Sequence, residues 1–249
     1  MRFFVGLHHP NVAGEFDAAF ISVRAIEKRR GPFPVNDWVM DSGAFSTIHQ
    51  HGRYLTEPHE YAAQIKRWST NGNLLAAVTQ DYMCEPHIIA KTGLSVPEHQ
   101  RMTVERYDAL MACDLGGVYL MPVLQGWMPD DYLRHLEMYG DRIGHGAWVG
   151  VGSVCKRNRA DNIAKVLRTI KAVRPDLRLH GFGATLTALQ SPLVQSLLYT
   201  ADSMAWSFAA RREGRDSNSK HEAHAFVARV NGIAEGWQET ADIQERLFA

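Results

Sequence analysis

Residues 147–182 read AWVGVGSVCKRNRADNIAKVLRTIKAVRPDLRLHGF, and this stretch decides the fold. It opens on a short apolar run, Ala147–Val151, that ends in small residues. Ile163, Val166, Leu167, Ile170 and Val173 then recur at i, i+3, i+4 and i+7, the spacing of one buried helix face. A second apolar run, Leu177–Phe182, follows. Strands that are nearly all apolar have no solvent face, so a strand, a helix and another such strand predict a parallel sheet covered on both sides.

The same unit repeats outward in both directions. Apolar runs of strand type stand at Phe3–Leu7, Ala19–Val23, Trp38–Met40, Leu74–Thr79, Val118–Leu124 and Ala201–Trp206, which brings the total to eight. Between them Tyr61, Ile65 and Trp68 share one helical stripe. Ser95 with Glu98 three residues later forms a capping-box pattern with Pro97 in the first turn, and Ser191-Pro192 reads as an N-cap followed by a proline suited to the first helical position. Eight such units in about 250 residues predict an α/β fold, a (β/α)8 TIM barrel spanning 1–249 as a single domain; the rival is a doubly wound open sheet. No repeat or linker divides the chain, and the polar stretch Arg211–Lys220 (RREGRDSNSK) is expected to be a mobile loop after the last strand.

Composition narrows the function classes. The chain carries 27 basic and 27 acidic side chains, so no global field attracts phosphate, and any nucleic-acid role must rest on local clusters and a specific pocket. Cys84, Cys113 and Cys155 are odd in number and lack the CxxC spacing of a zinc ribbon or the pairs of a disulfide framework, which suits a reducing compartment. No run of about 18 apolar residues exists to span a membrane, and the start MRFFVGLHHP is too soon interrupted for a signal peptide, so a cytoplasmic protein is expected.

In a barrel the chemistry sits where strands end. Strand three closes in Asp41-Ser42-Gly43-Ala44-Phe45, strand four in Gln80-Asp81-Tyr82, strand five in Gln125-Gly126, strand six in Gly150-Val151-Gly152-Ser153 and strand seven in His180-Gly181-Phe182-Gly183, while strand eight carries Asp202-Ser203. One aspartate at a strand end commonly caps the next helix. Three on one rim repel one another and separate in pKa, a cost tolerated where a site needs an acid, a base or a nucleophile. A metal is disfavoured because no His-x-His pair or His-Glu-x-x-His helix accompanies them, and adjacent His8 and His9 point in different directions. Glycines at these ends serve either tight turns or the close approach of backbone N–H groups to a flat ligand.

In this order the segments resemble the tRNA-guanine transglycosylase superfamily, whose barrel carries a DSGGF motif, an aspartate after the next strand, a QGG turn, a GG-L segment, a GVG turn and a late aspartate. Here DSGAF stands at 41–45, Asp81 in TQDYMCEP, QG at 125–126, GVGS at 150–153, HGFG at 180–183 and DSMAW at 202–206. The tRNA enzymes place a zinc site of three cysteines and a histidine after the late aspartate, whereas no cysteine follows Cys155 here; the resemblance therefore implies a barrel without the zinc subdomain, with no cofactor and no metal. They also read FDC where this chain reads DSMAW, which moves the nucleophile to Asp202. These departures look more like the DpdA branch, which exchanges guanine in DNA for a 7-deazaguanine of the 7-cyano-7-deazaguanine type and occurs in bacterial modification clusters and phages.

That resemblance implies a role for each residue. Asp202 is the nucleophile that traps C1′ as a glycosyl-enzyme, and Asp41 is the acid and base that protonates the departing guanine and deprotonates the incoming base. An ionised Asp81 reads the N1–H and 2-amino donors of guanine. Gln125 and the N–H of Gly126 serve O6 or the position-7 substituent, Phe45 stacks on the base, and His180 covers its other face. A backbone amide around Gly150 and Gly152 contacts the base, and Ser42 is a base-edge or supporting group. Tyr82 and Trp127 are packing residues or stacking surfaces. Lys156, Arg157, Arg159, Arg211, Arg212 and Arg215 supply positive charge for the nucleic acid, whose target base must be flipped from a duplex. The implied partners are DNA, guanine and a 7-deazaguanine base, with helper proteins left open and no membrane. Three alternatives stay open: a tRNA-directed transglycosylase, a non-catalytic binding subunit, and a barrel hydrolase that releases free base.

Overall fold

The computed structural model describes residues 1–154 and 160–232. Nine parallel strands form one sheet: β1 (Arg2–Leu7), β2 (Ala18–Ser22), β3 (Asp37–Asp41), β4 (Asn73–Val78), β5 (Tyr119–Met121), β6 (Val123–Leu124), β7 (Trp148–Val151), β8 (Arg178–Gly181) and β9 (Thr200–Ser203). Their spatial order is β5-β4-β3-β2-β1-β9-β8-β7-β6. The two ends of that order, β5 and β6, are consecutive pieces of the expected fifth run, parted at Pro122. Proline has no N–H for the ladder, so the strand breaks there, yet the Pro122 carbonyl still accepts the Gly150 N–H at 2.9 Å. The sheet therefore meets itself at one residue, which makes a nearly closed (β/α) barrel and sets aside the open doubly wound alternative.

Side chains alternate across each strand, and the two faces fill two cores. Phe4, Phe20, Val39, Val78, Met121, Val123 and Trp148 pack inside the barrel. Val5, Ile21, Trp38, Ala77, Val149, Leu179 and Ala201 face outward onto the helices. This alternation positions the site. Asp41 lies two residues beyond inward Val39 and Gln125 two beyond Val123, so the pleat that fills the barrel also aims both at its mouth.

Helix starts follow their local chemistry. Helices Pro58–Trp68, Pro86–Thr92, Pro129–Tyr139 and Pro192–Leu197 each begin on a proline, whose missing N–H is one the first turn leaves unpaired anyway. The Ser95–Glu98 capping box opens helix Val96–Met111, and the Ser191 hydroxyl accepts the Val194 N–H. Tyr61, Ile65 and Trp68 are buried as their stripe requires, and Ile163, Val166, Leu167 and Ile170 pack inward from helix Ala160–Val173. Val173, expected on that stripe, is 53% exposed because the helix ends there.

Two further expectations are corrected at the C-terminal side. The last strand stops at Ser203; Trp206 belongs to helix Ala205–Arg212, where its indole N–H donates to the Gly6 carbonyl at 3.0 Å. Of the stretch expected as a mobile loop, Arg211 and Arg212 form the end of that helix, and Arg215 ties the following turn down through ion pairs with Glu213 and Glu222. Among the described residues no helix is long and apolar enough to cross a membrane.

Candidate active site

Asp41 closes β3 opposite Ser22 of β2, whose hydroxyl hydrogen-bonds its carboxylate. Its Oδ2 also accepts the Gly43 N–H at 3.0 Å. Gly43 has φ +76°, a left-handed conformation that only glycine adopts without strain, and it turns the chain sharply into helix Ala44–His51. The DSGAF motif thus folds back around its own first residue. Burial raises the Asp41 pKa to about 6, with the Asp202 charge adding to the rise against the hydrogen bonds that lower it.

Asp81 lies past the end of β4 and is buried. Desolvation raises its pKa to about 7; the Gln125 amide opposes the shift and the Asp41 charge adds to it. The Asp41 carboxyl is thus close enough to feel the charge of Asp202, and Asp81 to feel that of Asp41. Tyr54 links two of the motifs: its hydroxyl donates to the Asp81 backbone carbonyl at 3.1 Å and lies 3.2 Å from the Ser42 hydroxyl.

Both ends of the Gln125 amide are engaged. Its Nε2 donates to Asp81 Oδ2, its Oε1 accepts the Ser153 hydroxyl at 2.7 Å, and a Cβ on Gly152 would fall inside its carboxamide. Ser153 Oγ also accepts the Cys84 N–H at 3.0 Å and lies 2.9 Å from Glu85 Oε2. The Gln125 backbone is clamped as well, its N–H by His135 Nδ1 at 2.8 Å and its carbonyl by Gln100 Nε2 at 2.7 Å. Burial pushes His135 down to about 3, so it stays neutral and able to accept. The amide expected to serve the base is thus tied to the Asp81 carboxylate and orients it.

Gly150 and Gly152, around which a base-contacting amide is expected, have their own N–H groups in the sheet ladder. Their N–H groups donate to the Pro122 and Leu124 carbonyls, both at 2.9 Å, so neither is available to a base. Phe182 fills the space a Cβ on Gly150 would need. Gly126 lets helix Pro129–Tyr139 approach, since a Cβ there would lie 2.6 Å from that of Asp131.

Asp202 is held by the two ends of the HGFG turn and by the residue after it. Its Oδ1 accepts the Gly183 N–H at 3.0 Å and lies 3.2 Å from His180 Nε2, and its backbone carbonyl accepts the Ala184 N–H at 2.8 Å. His180 was expected to cover the base, but it is 0% exposed inside the barrel, stacked on Phe20 at 5.4 Å. Sequence reasoning missed Thr200, Ser153, Glu85 and Tyr54. Thr200 had a signal, since it lies two residues before Asp202 on one strand and so shares its face.

At the rim Phe45 is half exposed, its ring stacked 5.9 Å from His49. Tyr82 is buried edge-on against Tyr54 and His99, a packing residue. Trp127 is half-buried, its N–H bound to Asp131. Of the six basic residues expected to meet nucleic acid, Lys156, Arg157 and Arg159 lie outside the described residues. Arg215 is neutralised by its two glutamates, while Arg211 and Arg212 are exposed and form no ion pair with a described residue.

A parallel barrel with acidic residues at its strand ends has the layout of the (β/α) barrels that place chemistry at the C-terminal rim. The family model for DpdA, "DeoxyPurine in DNA protein A", matches residues 1–239, and the chain belongs to that family. Membership supports a transglycosylase-type, DNA-modifying role. A search of curated proteins finds no match.

Proposed function

We propose that this chain exchanges guanine in DNA for a 7-deazaguanine base through a covalent glycosyl-aspartate. One observation carries the reading. Two coupled carboxylates stand at one mouth, Asp202 fixed by two donors on a single oxygen and Asp41 shifted toward neutral pH. Base exchange needs that division between a nucleophile and a proton carrier. Asp202 attacks C1′, and the N9–C1′ bond breaks with its electron pair passing to guanine, which Asp41 protonates. The incoming base then surrenders its N9 proton to Asp41 while N9 displaces Asp202 from C1′. Atoms and charge balance over the two halves.

Asp81 selects the base. Guanine offers two adjacent donors, and a carboxylate with a pKa of about 7 ionises fully when it receives them. Asp81→Asn replaces one acceptor by a donor facing the guanine edge. Its KM for the free base should rise roughly 100-fold, with a smaller loss in kcat. Steady-state kinetics with varied base concentration check this; an unchanged KM contradicts the assignment.

The flipped nucleotide brings its phosphates to the rim. Phe208, 67% exposed, shares one face of helix Ala205–Arg212 with Arg211 and Arg212, three and four residues on. Arg211 also bears on His8 at the end of β1, since its charge adds to the burial that lowers the His8 pKa. The Arg211→Ala, Arg212→Ala double variant should weaken DNA binding and flatten its salt dependence by a log–log slope of about 2. Titration of a labelled duplex at several salt concentrations measures the slope, and an unaltered slope removes this face from the DNA path.

The experiment that tests the function is mass analysis of nucleosides from DNA and, in parallel, tRNA treated with the protein and 7-cyano-7-deazaguanine. Deazaguanine nucleoside in the DNA sample is the expected result. Incorporation only into tRNA reverses the substrate, and release of guanine without insertion makes the protein a hydrolase.

A further inference from the structure

We infer that His180 is the positioning residue of the nucleophile, that Thr200 and Trp148 fix its tautomer, and that Oδ2 of Asp202 is the atom that attacks. The inference rests on the reading of Asp202 as the nucleophile and specifies how that carboxylate is aimed.

Counting protons on the buried polar atoms sets the tautomer. The Trp148 indole N–H, which can only donate, points at Thr200 Oγ1 from 2.8 Å. Thr200 Oγ1 lies 2.8 Å from His180 Nδ1, and both residues are buried. With the indole on its oxygen, the Thr200 hydroxyl proton needs an acceptor, and Nδ1 is within reach. Nδ1 is then unprotonated and the ring proton sits on Nε2, which faces Asp202 Oδ1 at 3.2 Å. The opposite tautomer would leave the hydroxyl proton without that acceptor and set an Nε2 lone pair against a carboxylate oxygen.

Strand register builds the chain of contacts. His180 of β8 pairs with Thr200 of β9, so these two side chains lie at one level of the barrel, and Asp202 stands one pleat higher on the same face. Phe20 on one side and Phe182 on another, with ring centroids 5.4 and 4.7 Å from His180, prevent the ring from turning. Oδ1 thus takes two N–H donors, from His180 and Gly183. Oδ2 is left as the reacting oxygen. Once the ester forms, Oδ1 becomes its carbonyl oxygen, and the same two donors stabilise the carboxylate as the second base displaces it.

The test compares the wild type with Thr200→Val, Thr200→Ser and Asp202→Ala. Thr200→Val should lower kcat about 10- to 100-fold, with KM for the free base within about twofold, and lower the melting temperature because the buried Trp148 indole N–H loses its acceptor. Thr200→Ser, which restores the hydroxyl, should recover most of the rate. Long-range 15N–1H NMR of the imidazoles should show His180 protonated on Nε2 in the wild type, and in Thr200→Val a shifted Nδ1 resonance, because that nitrogen has lost its hydroxyl donor, a signature that a packing role alone would not move. A wild-type His180 carrying its proton on Nδ1, or a Thr200→Val enzyme as fast as the wild type, overturns the inference. If Asp202→Ala also exchanges normally, the nucleophile reading itself fails; if it is dead while Thr200→Val is unimpaired, only the relay fails. The wild-type NMR measurement decides the tautomer even where Thr200→Val does not fold.

Discussion

Asp202→Ala should lose base exchange by about 10⁴-fold or more, because removing a nucleophile abolishes the covalent route and leaves only binding and orientation. The alanine also leaves the buried His180 N–H without its acceptor, at roughly 1–3 kcal/mol for an unpaired buried donor, and frees the part-buried Gly183 N–H. Asp202→Asn keeps the shape and an acceptor oxygen while removing the charge, so it should be equally inactive with less loss of stability. Nucleoside analysis for turnover and thermal melting for stability separate the two effects. Turnover near the wild-type rate in the asparagine variant would show that another group attacks.

Asp41→Asn should also be inactive, by about 10²- to 10⁴-fold, yet more stable than the wild type at alkaline pH. The sign follows from the raised pKa. The folded protein holds the Asp41 proton with a pKa of about 6 against an ordinary 3.8, so it binds that proton more tightly than the unfolded chain. This contribution is fully present below about pH 4 and is lost as pH rises toward 6. Above that, the ionised group costs about 3 kcal/mol at most, from a shift of about two units. Asparagine does not ionise, so melting temperature should rise by several degrees at pH 8 and by almost nothing near pH 4. An equal change at both pH values would mean that Asp41 is not strained by its charge. In the wild type, guanine release should slow about tenfold per pH unit above pH 6 to 7, and this limb should be absent from any residual activity of the variant.

The barrel was legible because its strands and helices obey separate periods. The runs at Phe3–Leu7 and Leu74–Thr79 are nearly uniform in apolarity, and the helix stripe at Ile163–Ile170 is regular. Pro122 was the exception, since a single proline inside an apolar run does not show that the barrel seam falls there. The acids at 41, 81 and 202 were legible from strand ends plus the order of motifs. Their supporting groups were not, because each contact crosses strands whose register a sequence does not state. Gln125 looked like a free amide until Ser153, 28 residues later, proved to hold its other end. His180 looked like a wall of the pocket because HGFG falls at a strand end; the inward pleat instead sinks it beneath Asp202. Gly150 and Gly152 resembled ligand-facing glycines, but the space they open is occupied by Phe182 and Gln125.

A covalent bond between protein and sugar is the step on which the proposed exchange depends. Denaturing electrophoresis of a rapidly quenched reaction on labelled guanine-containing DNA, followed by peptide mapping of any adduct, tests it directly. The account predicts a DNA-linked species whose modified peptide carries the label on Asp202, which disappears on adding a deazaguanine base and never forms with Asp202→Asn. An adduct on a different residue, or base exchange at full rate with no adduct at any quench time, would contradict it.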